Sequence, residues 1–168
     1  MTRVLCIGEC MIELTHVDPL TLRLGFAGDT CNAAVYLRRV AAELGREVEV
    51  AYLTALGDDE YSDAMRAEWR DEDIFDGSLP AEGRLPSPYA IRTAQDGERR
   101  FAYWRDQSAA REVLSRDDLR AHLEGDVIHL SGTGPAAGVR RARPPRRSPA
   151  LAKWPTSCSR AARTRSSS

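Results

Sequence analysis

The chain has 168 residues, with 24 Lys and Arg, 25 Asp and Glu, and a formal net charge of −1 at pH 7. This length allows one sizeable core, and no apolar run approaches the roughly 20 residues of a membrane-spanning helix. The N-terminus has no signal-peptide architecture, so we expect a cytoplasmic protein with no membrane partner. The four cysteines have neither CxxC pairing nor nearby histidines at metal spacing, which predicts buried thiols and no metal site.

Charge is distributed unevenly along the chain. All 25 acidic residues lie at or before Asp126, whereas the segment 133–168 has nine basic residues and no acidic ones. That segment also has no apolar periodicity, so we expect disorder there. The contrast predicts an organised part, 1–132, and a basic Arg/Pro/Ser/Ala-rich tail, 133–168. Reading a GC-rich gene out of frame would produce such a tail, and this origin is a hypothesis.

The organised part begins with apolar runs that predict strands. The run over 3–14 is nearly continuous and predicts one strand buried on both faces, and the partial alternation over 20–26 predicts a second, more exposed strand. Apolar residues then recur at helical spacing over 30–44, and Gly45 supplies the stop. These patterns predict a strand, a second strand and an amphipathic helix.

The middle of the chain continues the alternation of strand and helix. A strand over 48–53 precedes the acidic pair 58–59, which can cap a helix that includes Trp69. This order favours an α/β fold with parallel strands. Asp96-Gly97 between two aromatic-rich runs then predicts an antiparallel hairpin that serves as a flap or lid. The last predicted elements are a short helix opening at Ser115 and an apolar strand over 127–132.

The stretch 25–34 is the candidate site that the residues themselves suggest. Gly25 and Gly28 predict a mobile loop before the helix, and Asp29 or Thr30 could cap that helix. Helix N-terminal N–H groups beside Asp29, Thr30 and Asn32 favour a polar, hydroxyl-rich or anionic ligand. An ordinary loop and capped helix with no ligand is the alternative.

Seven short motifs in a fixed order carry a family resemblance. They are residues 7–14 (IGECMIEL), 25–30 with Asn32, 54–59 (TALGDD), 83–86 with Tyr89, 97–99, 103–105 with 109–110, and 130–132. Together they resemble the ribokinase-like (PfkB-type) carbohydrate kinases, and among these the 2-keto-3-deoxygluconate kinases. The resemblance covers residues 3–132. It implies a Rossmann-like α/β sheet with a small β lid, truncated at its C-terminal side, and ATP- and Mg²⁺-dependent phosphorylation of 2-keto-3-deoxygluconate or a similar sugar acid.

The resemblance also implies roles for individual residues. The implied substrate contacts are Gly28, Asp29 and Asn32 at the sugar, Tyr89 and Tyr103 on the lid, and Arg105 at the sugar-acid carboxylate. A planar guanidinium suits directional recognition of a carboxylate. The alternatives are helix capping for Asp29, cross-strand packing for Tyr89 and Tyr103, and a solvated charge for Arg105. Ala27 replaces the first of two glycines usual in the family, and would cost about 1 kcal/mol if that position were left-handed.

The second departure from the family is larger. The Gly-Ala-Gly-Asp motif with its catalytic aspartate, and most of the ATP site, belong to a C-terminal half that this sequence does not match. We therefore expect no catalytic residue or nucleotide site here, and no activity from this chain alone. A non-catalytic sugar-binding fragment or pseudoenzyme is the alternative, and a nucleic-acid binder acting through the basic tail is less favoured. A homo-oligomer formed through the lid is left open.

Overall fold

The computed structural model of the chain describes residues 1–117 and 119–131. The strands are β1 (Thr2–Ile7), β2 (Met11–His16), β3 (Leu22–Ala27), β4 (Val48–Leu53), β5 (Ala55–Leu56), β6 (Phe75–Asp76), β7 (Leu79–Pro80), β8 (Pro88–Thr93), β9 (Arg99–Tyr103) and β10 (Val127–Leu130). The helices are α1 (Asp29–Glu43), α2 (Glu60–Asp71) and the 3₁₀ helices Ala109–Ser115 and Leu119–His122. The predictions for the tail, 133–168, lie outside the described residues.

The described strands form two four-stranded sheets and one two-stranded sheet. The main sheet is parallel, with the order β10-β1-β4-β6, which confirms the predicted α/β class. The second sheet, which we call the lid sheet, has the order β3-β2-β8-β9 and mixes parallel with antiparallel pairs. Strands β5 and β7 form the small sheet. No described helix is long and apolar enough to cross a membrane.

The two central strands of the main sheet, β1 and β4, are covered on both faces, which explains their nearly continuous apolar sequences. On one face, Val4, Cys6, Val50 and Tyr52 belong to a core cluster that includes residues of both long helices. On the other face, alternate residues of the same two strands, among them Leu5 and Leu53, pack with the 3₁₀ helix at 109–115.

The prediction of one strand over 3–14 is wrong. The chain leaves β1 at Ile7 and enters β2 at Met11, so the apolar run belongs to two different sheets. Residues 8–10 make the crossing, and all three are buried. Burial was predicted correctly for residues 4–10, whereas β2 is half-buried except at Ile12. A continuous apolar run does not reveal which sheet each half joins.

Helix α1 matches the predicted helix, but its start differs from the prediction. Gly28 is the N-cap residue and no side chain caps α1, so Asp29 and Thr30 are not its caps. Gly25 lies within β3, so the expected glycine loop shrinks to the junction at Gly28. At the other end Gly45 has φ +62°, and the bonds from Gly45 N to Ala42 O (3.2 Å) and from Arg46 N to Ala41 O (2.8 Å) form a Schellman motif.

Helix α2 confirms its predicted cap. The Asp59 carboxylate accepts hydrogen bonds from the N–H groups of Tyr61 (3.0 Å) and Ser62 (3.1 Å). Its last turn packs into the core, where the Trp69 ring meets Tyr52 edge-on at 5.0 Å between centroids. The short helix expected to open at Ser115 is not present as predicted, because Ser115 ends one 3₁₀ helix and the next spans Leu119–His122. Segments this short favour the tighter 3₁₀ form.

The predicted hairpin is confirmed and forms one side of the lid sheet. Strands β8 and β9 pair antiparallel with Tyr89 opposite Tyr103, and Gly97 takes φ +85° in the turn. Ala27 ends β3 and does not have a positive φ, so it carries no left-handed strain. Among the described non-glycine residues, a positive φ occurs at Asp73.

Candidate functional site

A cavity of about 250 Å³ opens where the carboxyl ends of the main sheet meet the lid sheet. It is lined by Gly8, Glu9, Met11, Asp29, Thr30, Tyr103, Arg105 and Ser131. Residues 8 and 9 follow β1 and Ser131 follows β10. Ligands of open parallel α/β sheets bind outside the carboxyl ends of the strands, so the fold itself favours this position.

The first turn of α1 forms one wall of the cavity. Asp29 is exposed there, and the Ser131 hydroxyl donates a hydrogen bond to Asp29 Oδ2 at 3.2 Å. Thr30 is buried, and its Oγ1 lies 3.0 Å from the phenol oxygen of Tyr52. The positive end of the helix dipole favours a carboxylate at Asp29 and an electron-rich ligand nearby.

Glycine at positions 8 and 28 allows this wall to form. A Cβ at Gly28 would lie 2.1 Å from the carbonyl oxygen of Glu9, and one at Gly8 would lie 2.1 Å from Thr30 Oγ1. Because Gly28 has φ 170°, its requirement is for space rather than for a left-handed backbone. Gly28 thus brings α1 against the segment after β1, and it does not line the cavity.

Three aromatic rings stack on one face of the lid sheet. Tyr89 and Tyr103 have centroids 5.5 Å apart, and Phe101 lies 6.1 Å from Tyr103. Tyr103 is about half exposed and lines the cavity, whereas Tyr89 is buried and donates its O–H to Glu13. Burial, with the Glu13 hydrogen bond second, raises the pKa of Tyr89 well above its usual range. The stack gives the cavity an aromatic rim beside its polar floor.

Arg105 and Glu9 form the charged pair of the cavity. The Arg105 guanidinium donates to Glu9 Oε2 through Nε at 2.9 Å and also through Nη2. The Glu9 side chain is 2% exposed and the Arg105 side chain 33% exposed. Sequence reasoning assigned Arg105 to a substrate carboxylate, and the structure adds a buried carboxylate of the protein on the same guanidinium.

The structure therefore brings together part of the predicted set. Asp29, Tyr103 and Arg105 line one cavity. Tyr89 and Gly28 do not line it: Tyr89 stacks on Tyr103, and Gly28 packs against the backbone of Glu9. Asn32 is exposed on α1 and does not line the cavity. As a set of substrate contacts, these six residues remain a prediction.

Sequence reasoning missed the residue at the centre of the site, Glu9. The Glu9 carboxylate accepts hydrogen bonds from the hydroxyls of Ser87 and Ser108, the latter at 2.5 Å. An acidic residue within an otherwise apolar run was the available signal, because carboxylates are almost never fully buried unless they are paired. Neither serine stood out, because each gains its role through a contact with a distant segment.

The described residues do not assign a place to Mg²⁺ or a nucleotide. Residues 1–117 and 119–131 contain no group of three His, Cys, Asp or Glu side chains that could hold a metal ion. What the cavity offers is binding chemistry: acceptors at Asp29, hydroxyls at Thr30 and Ser131, and a guanidinium.

Comparison with known proteins indicates the same class of protein as the fold and the cavity, a carbohydrate kinase. The family model for pfkB family carbohydrate kinases matches residues 1–161, and the chain belongs to this family. The match runs past residue 132 and includes most of the basic segment 133–168. Membership confirms the family resemblance and the ribokinase-type fold that the motifs predicted.

The chain is similar to curated 2-dehydro-3-deoxygluconokinases. It is 40% identical over 137 residues to the 2-dehydro-3-deoxygluconokinase of Haemophilus influenzae, covering 79% of this chain and 43% of that protein. The same identity holds over 131 residues with the 2-dehydro-3-deoxygluconokinase of Dickeya dadantii, covering 75% and 41%. The chain thus spans about two-fifths of the length of these relatives.

Solved structures share the fold. The 2-dehydro-3-deoxygluconokinase of Thermotoga maritima superposes with a TM-score of 0.68 at 21% identity, covering 83% of this chain and 44% of that chain. An ATP-bound fructokinase of Xylella fastidiosa gives a TM-score of 0.59 at 22% identity, covering 80% and 42%. At these identities the similarity shows the fold alone.

Proposed function

We propose that this chain carries the sugar-acid-binding part of a 2-dehydro-3-deoxygluconokinase. Such an enzyme phosphorylates 2-dehydro-3-deoxygluconate, also called 2-keto-3-deoxygluconate, with ATP and Mg²⁺. The observation that supports this most directly is one cavity that joins the guanidinium of Arg105, the carboxylate of Asp29 and the ring of Tyr103. The 40% identity to curated kinases of that name supports the same substrate.

Each of these groups suits a different part of a sugar acid. A guanidinium binds a carboxylate through two parallel N–H donors, which fixes direction as well as charge. The Asp29 carboxylate accepts from adjacent sugar hydroxyls, and the hydroxyls of Thr30 and Ser131 can donate or accept. Tyr103 supplies the apolar and aromatic surface typical of small-molecule sites.

Titration calorimetry of the 168-residue chain with 2-keto-3-deoxygluconate and with a neutral sugar of similar size tests this proposal. We expect the acid to bind more tightly, and Arg105→Ala to weaken the acid far more than the neutral sugar. Losing a charge-assisted bidentate contact costs roughly 1.5–3 kcal/mol, or about 10- to 100-fold in affinity. Arg111→Ala, an exposed arginine six positions on, is the matched control. Equal losses for acid and neutral ligands would contradict the assignment of Arg105.

The chain by itself is proposed to bind without turnover, which is the binding-module alternative. It spans about two-fifths of the length of the curated relatives, and the two carboxylates that line the cavity, Glu9 and Asp29, already accept hydrogen bonds from Arg105 and Ser131. Binding of the sugar acid without release of ADP would match this proposal.

We also propose that a second copy of the chain pairs through the lid sheet. Its edge strand β3 carries Leu22 and Leu24, which are 45% and 48% exposed. Edge strands with exposed apolar residues readily pair with another chain. Sedimentation of the wild type against Leu24→Glu tests this, and a monomeric wild type at all concentrations would contradict it.

A further inference from the structure

Glu9, in the segment after β1, is the buried centre of a hydrogen-bond cluster that joins this segment to two others, the one before β8 and the loop 104–108. Its Oε1 accepts from Ser87, just before β8, and from Ser108, just before the 3₁₀ helix at 109–115. Its Oε2 accepts from Nε and Nη2 of Arg105, which follows β9. Both serines are buried, at 2% and 3% exposure. All four contacts therefore converge on one carboxylate that lies away from water.

Burial makes this arrangement difficult to rearrange. A carboxylate removed from water is strongly unfavourable unless an opposite charge and further hydrogen bonds replace its hydration. Here Arg105 supplies the charge and the two serines satisfy the other oxygen. Moving the guanidinium onto a ligand would leave Glu9 buried without its cation, so Arg105 should keep this contact when a ligand binds.

The contact also fixes how Arg105 lies in the cavity. A guanidinium has five N–H donors in one plane, and two of its nitrogens, Nε and Nη2, are engaged by Glu9. The remaining N–H groups belong to a side chain that is one-third exposed and lines the cavity. With two nitrogens held, the plane and direction of the remaining donors are set before a ligand arrives.

We propose that Glu9 is a positioning residue that orients the Arg105 guanidinium and thereby sets the preference of the cavity for a carboxylate-bearing sugar over a neutral one. The inference rests on the proposed function, because it assumes that the ligand is a sugar acid. Glu9 and Arg105 cancel in charge, so the preference comes from the direction of the remaining donors rather than from net attraction.

Glu9→Gln separates the two explanations by the sign of its effect. If Glu9 positions Arg105, losing its carboxylate weakens binding of 2-keto-3-deoxygluconate about 10-fold while a neutral sugar changes less than about twofold. If net charge governs recognition, the same substitution leaves Arg105 uncompensated and strengthens binding of the acid. Unchanged or tighter binding of the acid by Glu9→Gln would overturn the proposal.

Two further variants keep the test decisive. Glu49→Gln is the matched control. It removes a carboxylate that pairs with Arg3, with 3.1 Å between Nε and Oε2, and neither residue lines the cavity. Ser108→Ala keeps both charges and removes one donor to Oε1, so it gives an answer even if Glu9→Gln fails to fold. We expect Ser108→Ala to weaken the acid selectively, by a smaller factor, and no selective loss with this variant would contradict the proposal.

A ligand-free measurement distinguishes failure of this inference from failure of the proposed function. In ¹⁵N NMR of the 168-residue chain, the Arg105 Nε–H signal, assigned by its loss in Arg105→Lys, should exchange slowly with water. Glu9→Gln should shift it and speed its exchange, whereas Glu49→Gln should not. A signal in fast exchange in the wild type overturns the positioning role whatever binds. A protected signal with no binding of the acid would instead count against the proposed function.

Discussion

Tyr89 and Glu13 lie side by side on the neighbouring parallel strands β8 and β2, and the Tyr89 phenol donates its hydrogen bond to the Glu13 carboxylate. The same ring stacks on Tyr103, which reaches the cavity. Tyr89 therefore links Glu13, through a hydrogen bond, to Tyr103 at the cavity, through ring stacking. Thr15 adds a second hydrogen bond to Glu13, at 3.2 Å.

The raised pKa of Tyr89 predicts a loss of stability at alkaline pH. Because burial raises its folded-state pKa above the unfolded value of about 10, the folded chain holds a proton that the unfolded chain releases as the pH passes that value. The free energy of unfolding should then fall above about pH 10, with a contribution from Tyr89 approaching about 1.4 kcal/mol per pH unit.

Urea unfolding between pH 8 and pH 11 checks this prediction. Tyr89→Phe removes this ionisable group and should make the decline less steep, the rest coming from other groups whose pKa burial raises, Tyr52 and Cys6 among them. Tyr36→Phe, which removes an exposed phenol on α1, controls for the loss of one tyrosine. Identical pH profiles for the wild type and Tyr89→Phe would show that the phenol is not linked to folding.

A methyl group at Gly28 should disturb both stability and the cavity. The new Cβ would lie 2.1 Å from the Glu9 carbonyl oxygen, so α1 or the segment after β1 must move. We expect Gly28→Ala to lower the free energy of unfolding by about 1–3 kcal/mol, as for overpacking in a core. Denaturant unfolding followed by circular dichroism measures it.

Gly25→Ala supplies the comparison for Gly28→Ala. A Cβ at Gly25 meets nothing within 4 Å, and the change should stay within about 0.5 kcal/mol. Similar losses at the two positions would mean that the close approach of Gly28 to Glu9 is not what requires glycine there.

The sequence predicted the local elements well because their signals are local. Apolar periodicity located α1, Asp59 marked the start of α2, and Asp96-Gly97 marked the hairpin. The division of the first apolar run between two sheets was not predictable in this way, because it depends on which strands pair with each half. The two-residue strands were missed since so short a run has no measurable periodicity.

The start of α1 was predictable from the residues themselves, since a glycine before a helix N-terminus with Asp29 and Thr30 indicated a polar ligand site, and both residues line the cavity. Tyr103 and Arg105 were named only by the family resemblance, and the structure brings them to the same cavity. Glu9 did not enter, because its role depends on donors at positions 87, 105 and 108 that approach it only in the folded chain. Its place in an apolar run indicates a paired carboxylate, but it does not reveal which distant groups pair with it.

The buried thiols should be protected from alkylation in the folded chain. Cys6, Cys10 and Cys31 are buried free thiols, as the cysteine spacing predicted, and Cys158 lies outside the described residues. Burial raises the pKa of Cys6 to about 11. A hydrogen bond with Cys31 raises the pKa of Cys10, and the same bond lowers the pKa of Cys31, so protection of Cys31 depends on access rather than on ionisation.

Iodoacetamide labelling at pH 8, followed by peptide mass spectrometry, tests this protection. We expect each of the three thiols to react at least about tenfold more slowly in the folded chain than in urea, because the thiolate is the nucleophile and must be reached. Labelling of any of them at its unfolded rate would show that the core opens at that position.

The last prediction concerns catalysis: the 168-residue chain alone should release no ADP from ATP in the presence of Mg²⁺ and 2-keto-3-deoxygluconate. Phosphoryl transfer requires two substrates in line and groups that stabilise the transferred phosphate. The described cavity supplies contacts for one substrate only, and losing a general base alone typically costs about 10²–10⁴ in rate.

The comparison is a chimaera in which residues 1–131 are continued by the remaining part of the Haemophilus influenzae relative. Turnover by the chimaera and none by the 168-residue chain would support the division of roles proposed here. Turnover by the 168-residue chain at an ordinary kinase rate of 1–100 s⁻¹, as an order of magnitude, would refute it.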